Sequence, residues 1–238
     1  MTNRPISQIL ARAILFAALL FPTILLADTI AIIGTGAVAG ALGPEFAAQG
    51  HTIVYGSRDP LRDDVTELVA RTGNAASATT PTDAAAAASI VVLAVPGELV
   101  DSITRNLGDL ADKIIIDPTN PLHQTADGYF EMAVDTSNGE IIQAAAPGAH
   151  VVKAFNALNW RTMVNPESSG GPVSIPLVGD NAEAKARVAE LVEGMGLEAI
   201  DLGPIRYARH VEGMLILWIN NRYSGHGVPF DYHLRKTE

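Results

Sequence analysis

The feature that most restricts what this chain can fold into is the run Thr29-Ile-Ala-Ile-Ile-Gly34-Thr35-Gly36-Ala37-Val38-Ala39. An unbroken apolar stretch ending in Gly-x-Gly-x-x-Ala predicts a buried parallel strand, a tight turn and the start of a helix. Gly34 and Gly36 permit backbone angles and close approach that a side chain obstructs, and Ala39 stands where a third glycine lets helix pack on strand. A helix beginning at such a turn aims its N-terminal amides and positive dipole end at it, which suits a pyrophosphate. The glycine spacing alone is weak. Its place after a strand, before a helix and at the start of a domain favours dinucleotide binding over a turn of packing origin.

From Thr29 onward short Ile/Val-rich runs alternate with helix-like segments, the pattern of β-α-β units and a parallel sheet covered on both faces. The predicted strands are Ile30–Ile33, Thr52–Tyr55, Ile90–Ala94, Lys113–Asp117 and His150–Ala154, followed by Val173–Val178 and Glu198–Asp201, with Ala75–Ala78 a candidate short one. The first helix is expected over Ala37–Gln49, stopping at Gly50, with Pro44 kinking it or removing a bond. Thr82–Ser89 reads as a short helix, and the last apolar helix as Ile205–Asn221. Asp180 and Glu183 have the spacing of a capping box. Ser168-Ser-Gly-Gly171-Pro172 is the clearest loop, and the polar tail from Ser224 either docks or frays. The fold class that follows is α/β, a Rossmann-type, doubly wound and mainly parallel sheet with a small C-terminal helical extension. Its divisions are residues 1–27, a dinucleotide-binding domain over 28–205, and a C-terminal helix and tail over 206–238.

At 238 residues the chain is long enough for one large domain, and 21 glycines suit many tight strand-to-helix turns. The net charge is -10 and there is no Lys/Arg run, so nucleic acid is excluded as a partner and an anion must be held by local geometry. With no cysteine, thiol nucleophiles, disulfides and cysteine-ligated metals are excluded, and the six histidines show no metal-ligand spacing. No Gly-x-Ser-x-Gly nucleophile motif is present.

The first 27 residues read as a targeting segment, with Arg4 and Arg12 before the 14-residue apolar run Ala13–Leu26 and Ala27 at a candidate cut. At about 1.5 Å per residue that run falls short of the roughly 30 Å hydrocarbon core. A cleaved signal peptide and a periplasmic or secreted domain are expected; the alternative is an uncleaved membrane anchor with the domain in the cytoplasm. Membrane contact is expected only in the second case. Export conflicts with reduced dinucleotides being chiefly intracellular reductants.

An NAD-preferring site usually ends its second strand in a carboxylate. Here that position offers Gly56-Ser57-Arg58, with Arg62 a turn later, and a hydroxyl with two guanidiniums suits the ribose 2′-phosphate of NADP. Asp59 is close by and is expected to cap the next helix. The strand ends Val95-Pro96-Gly97 and Asp117-Pro118-Thr119-Asn120-Pro121 should border the nucleotide crevice, which places Val95, Pro96 and Asn120 near the ribose and nicotinamide, with plain loop punctuation as the other reading.

Val151-Val-Lys153-Ala154-Phe155-Asn156, taken with Gly34-Thr-Gly36, Gly56-Ser57-Arg58, Val178-Gly179-Asp180 and Asp201-Leu-Gly203-Pro204-Ile205-x-x-Ala208-Arg209, resembles the deazaflavin-dependent NADP oxidoreductases. It is similar also to the oxidoreductase domain of the six-transmembrane epithelial antigen metalloreductases, over about Asp28–Gly227. The resemblance implies an NADP-dependent oxidoreductase passing hydride between NADPH and a flavin or deazaflavin co-substrate, with Thr35, Gly36, Ala37 and Val38 around the pyrophosphate and Ser57, Arg58 and Arg62 on the 2′-phosphate. It implies Pro96 and Gly97 beside the cofactor, Asn156, Ala157 and Trp160 on the side of a small-molecule electron acceptor, and a homodimer through the helix bearing Met214, Leu215, Leu217 and Trp218. The deazaflavin enzymes commonly carry an aromatic residue at the position of Gly97 and a histidine at that of Asn156, so the acceptor stays open.

Hydride transfer between stacked rings needs alignment at about 3–3.5 Å rather than a strong acid or base, and no catalytic side chain is nominated. Lys153 is either a proton donor or phosphate contact, or a surface cap on a strand end. Arg209-His210-x-Glu212 either approaches the acceptor or is the polar face of a packed helix. Reduction of a small carbonyl or imine through Lys153 or His210, and non-catalytic sensing of NADP, are the alternative functions.

Overall fold

The structure, a computed structural model, describes residues 27–223 and 227–237. The targeting segment up to Leu26 and the first residues of the tail after Tyr223 lie outside the described residues. Five Ile/Val-rich strands and one short edge strand form a parallel sheet: β1 (Thr29–Ile33), β2 (Thr52–Gly56), β3 (Ser77–Thr79), β4 (Ile90–Leu93), β5 (Ile114–Asp117) and β8 (His150–Lys153). The order is β3-β2-β1-β4-β5-β8, which reverses direction between β1 and β4. Ile30 pairs with Ile53 on one side and Ile90 on the other. Alternation sends Ile30 and Ile32 into a core under Leu42 and Phe46, and Ala31 and Ile33 into the opposite core with Ala84 and Ala85. Apolar side chains on both faces explain why these strands read as continuous hydrophobic runs.

Helix α1 (Ala37–Ala48) crosses from β1 to β2. Pro44 lies inside it without ending it. The carbonyl of Gly40, four residues back and denied a helical donor, accepts from Arg71 Nη2 at 3.3 Å. Arg71 belongs to α2 (Asp63–Thr72), and α3 (Pro81–Ala87) and α4 (Val100–Arg105) cover the second face. Asp59 does not cap α2, whose N-cap position is Arg62 with no side-chain cap bond.

A hairpin of β6 (Leu122–Gln124) and β7 (Phe130–Met132) precedes α5 (Asn138–Ala145). Neither was expected, although Ser137 and Glu140 carry the capping-box spacing: Ser137 Oγ accepts from Glu140 N at 3.1 Å. After β8 and α6 (Trp160–Val164) come β9 (Ser174–Leu177), α7 (Ala182–Glu193) and β10 (Glu198–Asp201). β9 and β10 form their own parallel pair, tied to the main sheet by one antiparallel bridge between Lys153 and Val178. Pro176 gives β9 one donor fewer for a second ladder. The expected box at Asp180 shifts by one residue. Asn181 caps α7 by accepting from Ala184 N at 2.8 Å, because Asp180 Oδ1 is already taken by Ile205 N at 3.0 Å. The last helix, α8 (Ala208–Tyr223), holds the hairpin through Asn220, which exchanges two bonds with the Phe130 backbone at 2.8 and 2.9 Å. The described part of the tail docks: Tyr232 O accepts from Ser174 N at 3.0 Å, and Trp218 Nε1 donates to Asp231 at 3.2 Å.

Candidate functional site

The reversal of strand order opens a crevice above the carboxyl ends of β1 and β4, where open α/β sheets bind ligands. A cleft of about 540 Å³ lies there. Gly34, Thr35, Gly36, Ser57, Arg58, Arg62, Val95 and Pro96 all line it, so the structure brings together eight of the residues expected from sequence. The third side comes from the start of α3 and from α4, with Pro81, Thr82, Leu99, Ser102, Ile103 and Asn106, which sequence reasoning missed. These residues carry no motif, and only the crossing of α3 and α4 puts them here.

The glycine turn is shaped by its surroundings. Gly34 has φ +106°, and a Cβ on it would stand 2.2 Å from the carbonyl oxygen of Ala94. Its N–H donates to Gly56 O at 2.9 Å, fixing the turn to the end of β2. A Cβ on Gly36 would meet no protein atom within 4 Å. α1 then starts with no side-chain cap and no acid in its first turn, leaving first-turn amides without an internal acceptor.

At the end of β2, Ser57 is buried and its hydroxyl closes a local turn, donating to Asp59 O at 3.0 Å. Arg58 is exposed on the cleft wall. Arg62 is exposed too, paired with Asp64, and its Nη2 comes within 3.4 Å of Thr35 Oγ1, so it spans from the second strand to the glycine turn. The Arg62 hydrogen bond holds the Asp64 carboxyl below the usual carboxylate range.

Ala37, Val38, Gly97, Asn120, Asn156, Ala157 and Trp160 do not line this cleft. Ala37 and Val38 begin α1. Gly97 packs so tightly that a Cβ would stand 2.0 Å from Asn120 O. Asn120 and Asn156 form a pair: Asn156 Nδ2 donates to Asn120 Oδ1 at 3.0 Å and Asn120 Nδ2 to Asn156 O at 3.1 Å. Asn156 Nδ2 also donates to Val211 O at 3.1 Å, and its buried Oδ1 has no partner. Phe155, just before it, holds φ +62°, an outlier for a bulky residue. Ala157 is buried, and Trp160 packs against the core with the Arg161 guanidinium 4.3 Å above its ring.

Lys153 is neither a surface cap nor a free proton donor. It is fully buried, and its Nζ donates to Asp117 Oδ2 at 2.7 Å, Glu212 Oε1 at 2.6 Å and Thr119 O at 2.5 Å. Glu212 is therefore not on a solvated polar face; it accepts from Asn138 N at 3.2 Å and Gly139 N at 3.3 Å at the start of α5. Burial pushes its carboxyl above the ordinary glutamate range; Lys153 acts against that shift and Asp117 with it. Asp117 Oδ1 takes Thr119 N at 2.8 Å and Thr119 Oγ1 at 2.6 Å. Asn138 Nδ2 continues the network to Gly97 O at 3.0 Å and Thr119 Oγ1 at 2.8 Å. His210, by contrast, is exposed beside Tyr207, and Arg209 pairs with Glu140.

Comparison with known proteins gives one consistent result. A sequence model of the family described as NADP oxidoreductase coenzyme F420-dependent matches residues 29–121. The F420-dependent NADP reductase of Methanothermobacter thermautotrophicus is 30% identical over 218 residues, covering 84% of this chain and 93% of that protein. The metalloreductase STEAP3 of Rattus norvegicus is 30% identical over 189 residues, 79% of this chain, but the chain spans only 36% of its length. A crystal structure of a putative F420-dependent NADP reductase from Arthrobacter sp. FB24 superposes with a TM-score of 0.79 at 32% identity, covering 88% of this chain and all of that one. With the glycine turn, the Ser57-Arg58 end of β2 and the crevice between them, these likenesses close the argument: the chain belongs to the family of F420-dependent NADP oxidoreductases.

Proposed function

We propose that this chain transfers hydride between NADPH and a flavin or deazaflavin that acts as co-substrate. The carrying observation is that Arg58 and Arg62 line the same cleft as the glycine turn, with no carboxylate among its lining residues. The fit to NADP is good on the protein's side. The empty space at Gly36 and the uncapped start of α1, with Ala37 and Val38, would admit and hold the pyrophosphate. Arg58 and Arg62 would take the 2′-phosphate, with Ser57 holding the turn that presents them. When bound, NADPH supplies the hydride, two electrons and one proton nucleus, and the reduced acceptor takes up one further proton from solvent. The residues of the chain orient the two rings and exclude water: Val95 and Pro96 form the wall, and Gly97 and Asn120 the tight junction behind it. Asn156, Ala157 and Trp160 belong to the acceptor side of this reading. Of the two candidate donors for small carbonyl or imine reduction, Lys153 has all three protons engaged inside the buried cluster, and His210 is exposed beside Tyr207 and does not line the cleft. The test is anaerobic oxidation of NADPH by free flavins and by coenzyme F420, with NADH as control. Turnover with NADPH well above that with NADH is expected; equal use of both, or none, overturns the reading.

The same reading includes a homodimer through α8, supported by the exposed Leu217 and Tyr223 on that helix. It also includes a cut after Ala27. Asp28 is held by Arg187 and Ser89 and its N–H by His51 Nδ1 at 3.0 Å, whereas Ala27 is exposed. Among the described residues no helix is long and apolar enough to cross a membrane.

A further inference from the structure

The charges of Lys153, Asp117 and Glu212 are completely shielded from water, and stability is a poor reason for placing them there. Buried ion clusters are often replaceable by apolar side chains without loss, and here two carboxylates face one ammonium. What an apolar cluster could not do is fix direction. The bonds of this network tie together several segments at the carboxyl end of the sheet. Lys153 draws in the Thr119 carbonyl of the loop after β5, and Asn138 reaches from the same network to the Gly97 carbonyl of the loop after β4. Asn120, the next residue after Thr119, pairs with Asn156 of the loop after β8. β5 and β8 stand one and two strand spacings from β4, about 5 and 10 Å, so these are the loops that frame the crevice beyond Val95 and Pro96. They are pressed together, since a Cβ added to Gly97 would stand only 2.0 Å from Asn120 O, and the chain enters Asn156 through a strained Phe155. Such strain persists only where the surroundings over-determine it.

We infer that the Lys153–Asp117–Glu212 cluster is a positioning device, holding the loops after β4, β5 and β8 in the register that aligns nicotinamide and acceptor for hydride transfer. None of the three touches substrate in this scheme; they act through Thr119, Asn138 and the Asn120–Asn156 pair. The inference rests on the NADPH reading above, and its test separates the two.

The variants are Glu212→Gln, which removes one charge at constant size, and Asn138→Ala, which cuts the link to Gly97 and Thr119 without burying an unpaired charge. Each is measured for thermal unfolding, for NADPH affinity, and for the single-turnover rate of hydride transfer to a flavin with protiated and deuterated NADPH. A misplacement of order 1 Å costs about 100-fold in rate, so a fall of about 10- to 100-fold is expected for Glu212→Gln and a smaller one for Asn138→Ala. NADPH affinity should change less than about threefold, because the phosphate-binding residues lie outside the network. If Glu212→Gln does not fold, Asn138→Ala decides alone. Unchanged hydride-transfer rates in a folded variant, or rate and affinity falling together, overturn the positioning role while leaving the NADPH reading intact. A wild-type protein that binds no NADPH overturns that reading and this inference with it.

Discussion

The two ends of the site are built on opposite principles. At the nucleotide end Arg58 and Arg62 stand in solvent, and the partner of Arg62, Asp64, is itself exposed. At the other end Lys153, Asp117 and Glu212 are at zero exposure and every proton of the ammonium is assigned. An exposed guanidinium can be exchanged between a carboxylate and an arriving phosphate at little cost, which suits recognition. A dry cluster cannot be rearranged without stranding a charge, which suits the holding of a geometry. The contrast implies that mutations at one end should act on affinity and at the other on stability and rate.

The largest effect should come from Lys153→Met. It leaves Asp117 and Glu212 buried without their ammonium and should cost about 3–5 kcal/mol of unfolding free energy, read from urea denaturation. The pH dependence gives the comparison a sign. Burial already raises the Glu212 carboxyl above the usual value of 4.5, and the variant removes the ammonium that lowers it. A carboxyl raised in the folded state binds its proton more tightly there than in the unfolded chain. Its stabilisation is therefore complete below about pH 4.5 and is lost as pH rises through the raised value. Lys153→Met should thus lose stability with rising pH more steeply than wild type over that window. A variant as stable as wild type at neutral pH would show that the cluster is not the rigid half of the site.

The same contrast separates what was legible in the sequence from what was not. Gly34, Gly36, Ser57, Arg58 and Arg62 could be placed together because each acts through local spacing: a turn, a helix start, a strand end. Asp117, Lys153 and Glu212 are separated by 36 and 59 positions and belong to β5, β8 and α8. Nothing in the local pattern of any of them marks it as buried; Lys153 reads like the end of a strand, and Glu212 like the outer face of a helix beside Arg209 and His210. The β5–β8 pairing sets Asp117 beside Lys153, and only the packing of α8 over the start of α5 brings Glu212 to them. Helix α5 could have been found from Ser137 and Glu140, whose capping bond forms as the spacing suggests. The capping pair at Asp180 was misplaced for the reverse reason: a distant turn at Ile205 claims the aspartate, and Asn181 serves the helix.

At the nucleotide end Arg58→Ala should leave thermal unfolding unchanged and weaken NADPH binding by about tenfold, the loss expected for one charge-assisted bond. NADH, which carries no 2′-phosphate, should bind variant and wild type alike. Titration with both nucleotides checks this. Equal losses for NADPH and NADH would mean that Arg58 serves the pyrophosphate or the fold, and the division between recognition and positioning would have to be redrawn.

The smallest effect should come from Asp64→Asn, and its direction is the informative part. The Arg62 hydrogen bond holds the Asp64 carboxyl below its ordinary value. Arg62 is thus shared between that carboxylate and the mouth of the cleft, where its Nη2 lies 3.4 Å from Thr35 Oγ1. A phosphate arriving at the cleft must draw the guanidinium away from Asp64 or bind beside the pair and its negative charge. Neutralising Asp64 removes the competitor and the repulsion, and an exposed pair is worth little to stability. NADPH affinity should therefore rise by about two- to threefold, with the gain shrinking as salt screens both charges, while NADH affinity and the unfolding midpoint stay put. Weaker NADPH binding in Asp64→Asn would instead show that the carboxylate aims Arg62 at the phosphate, and that the exposed end of the site is preorganised as the buried end is.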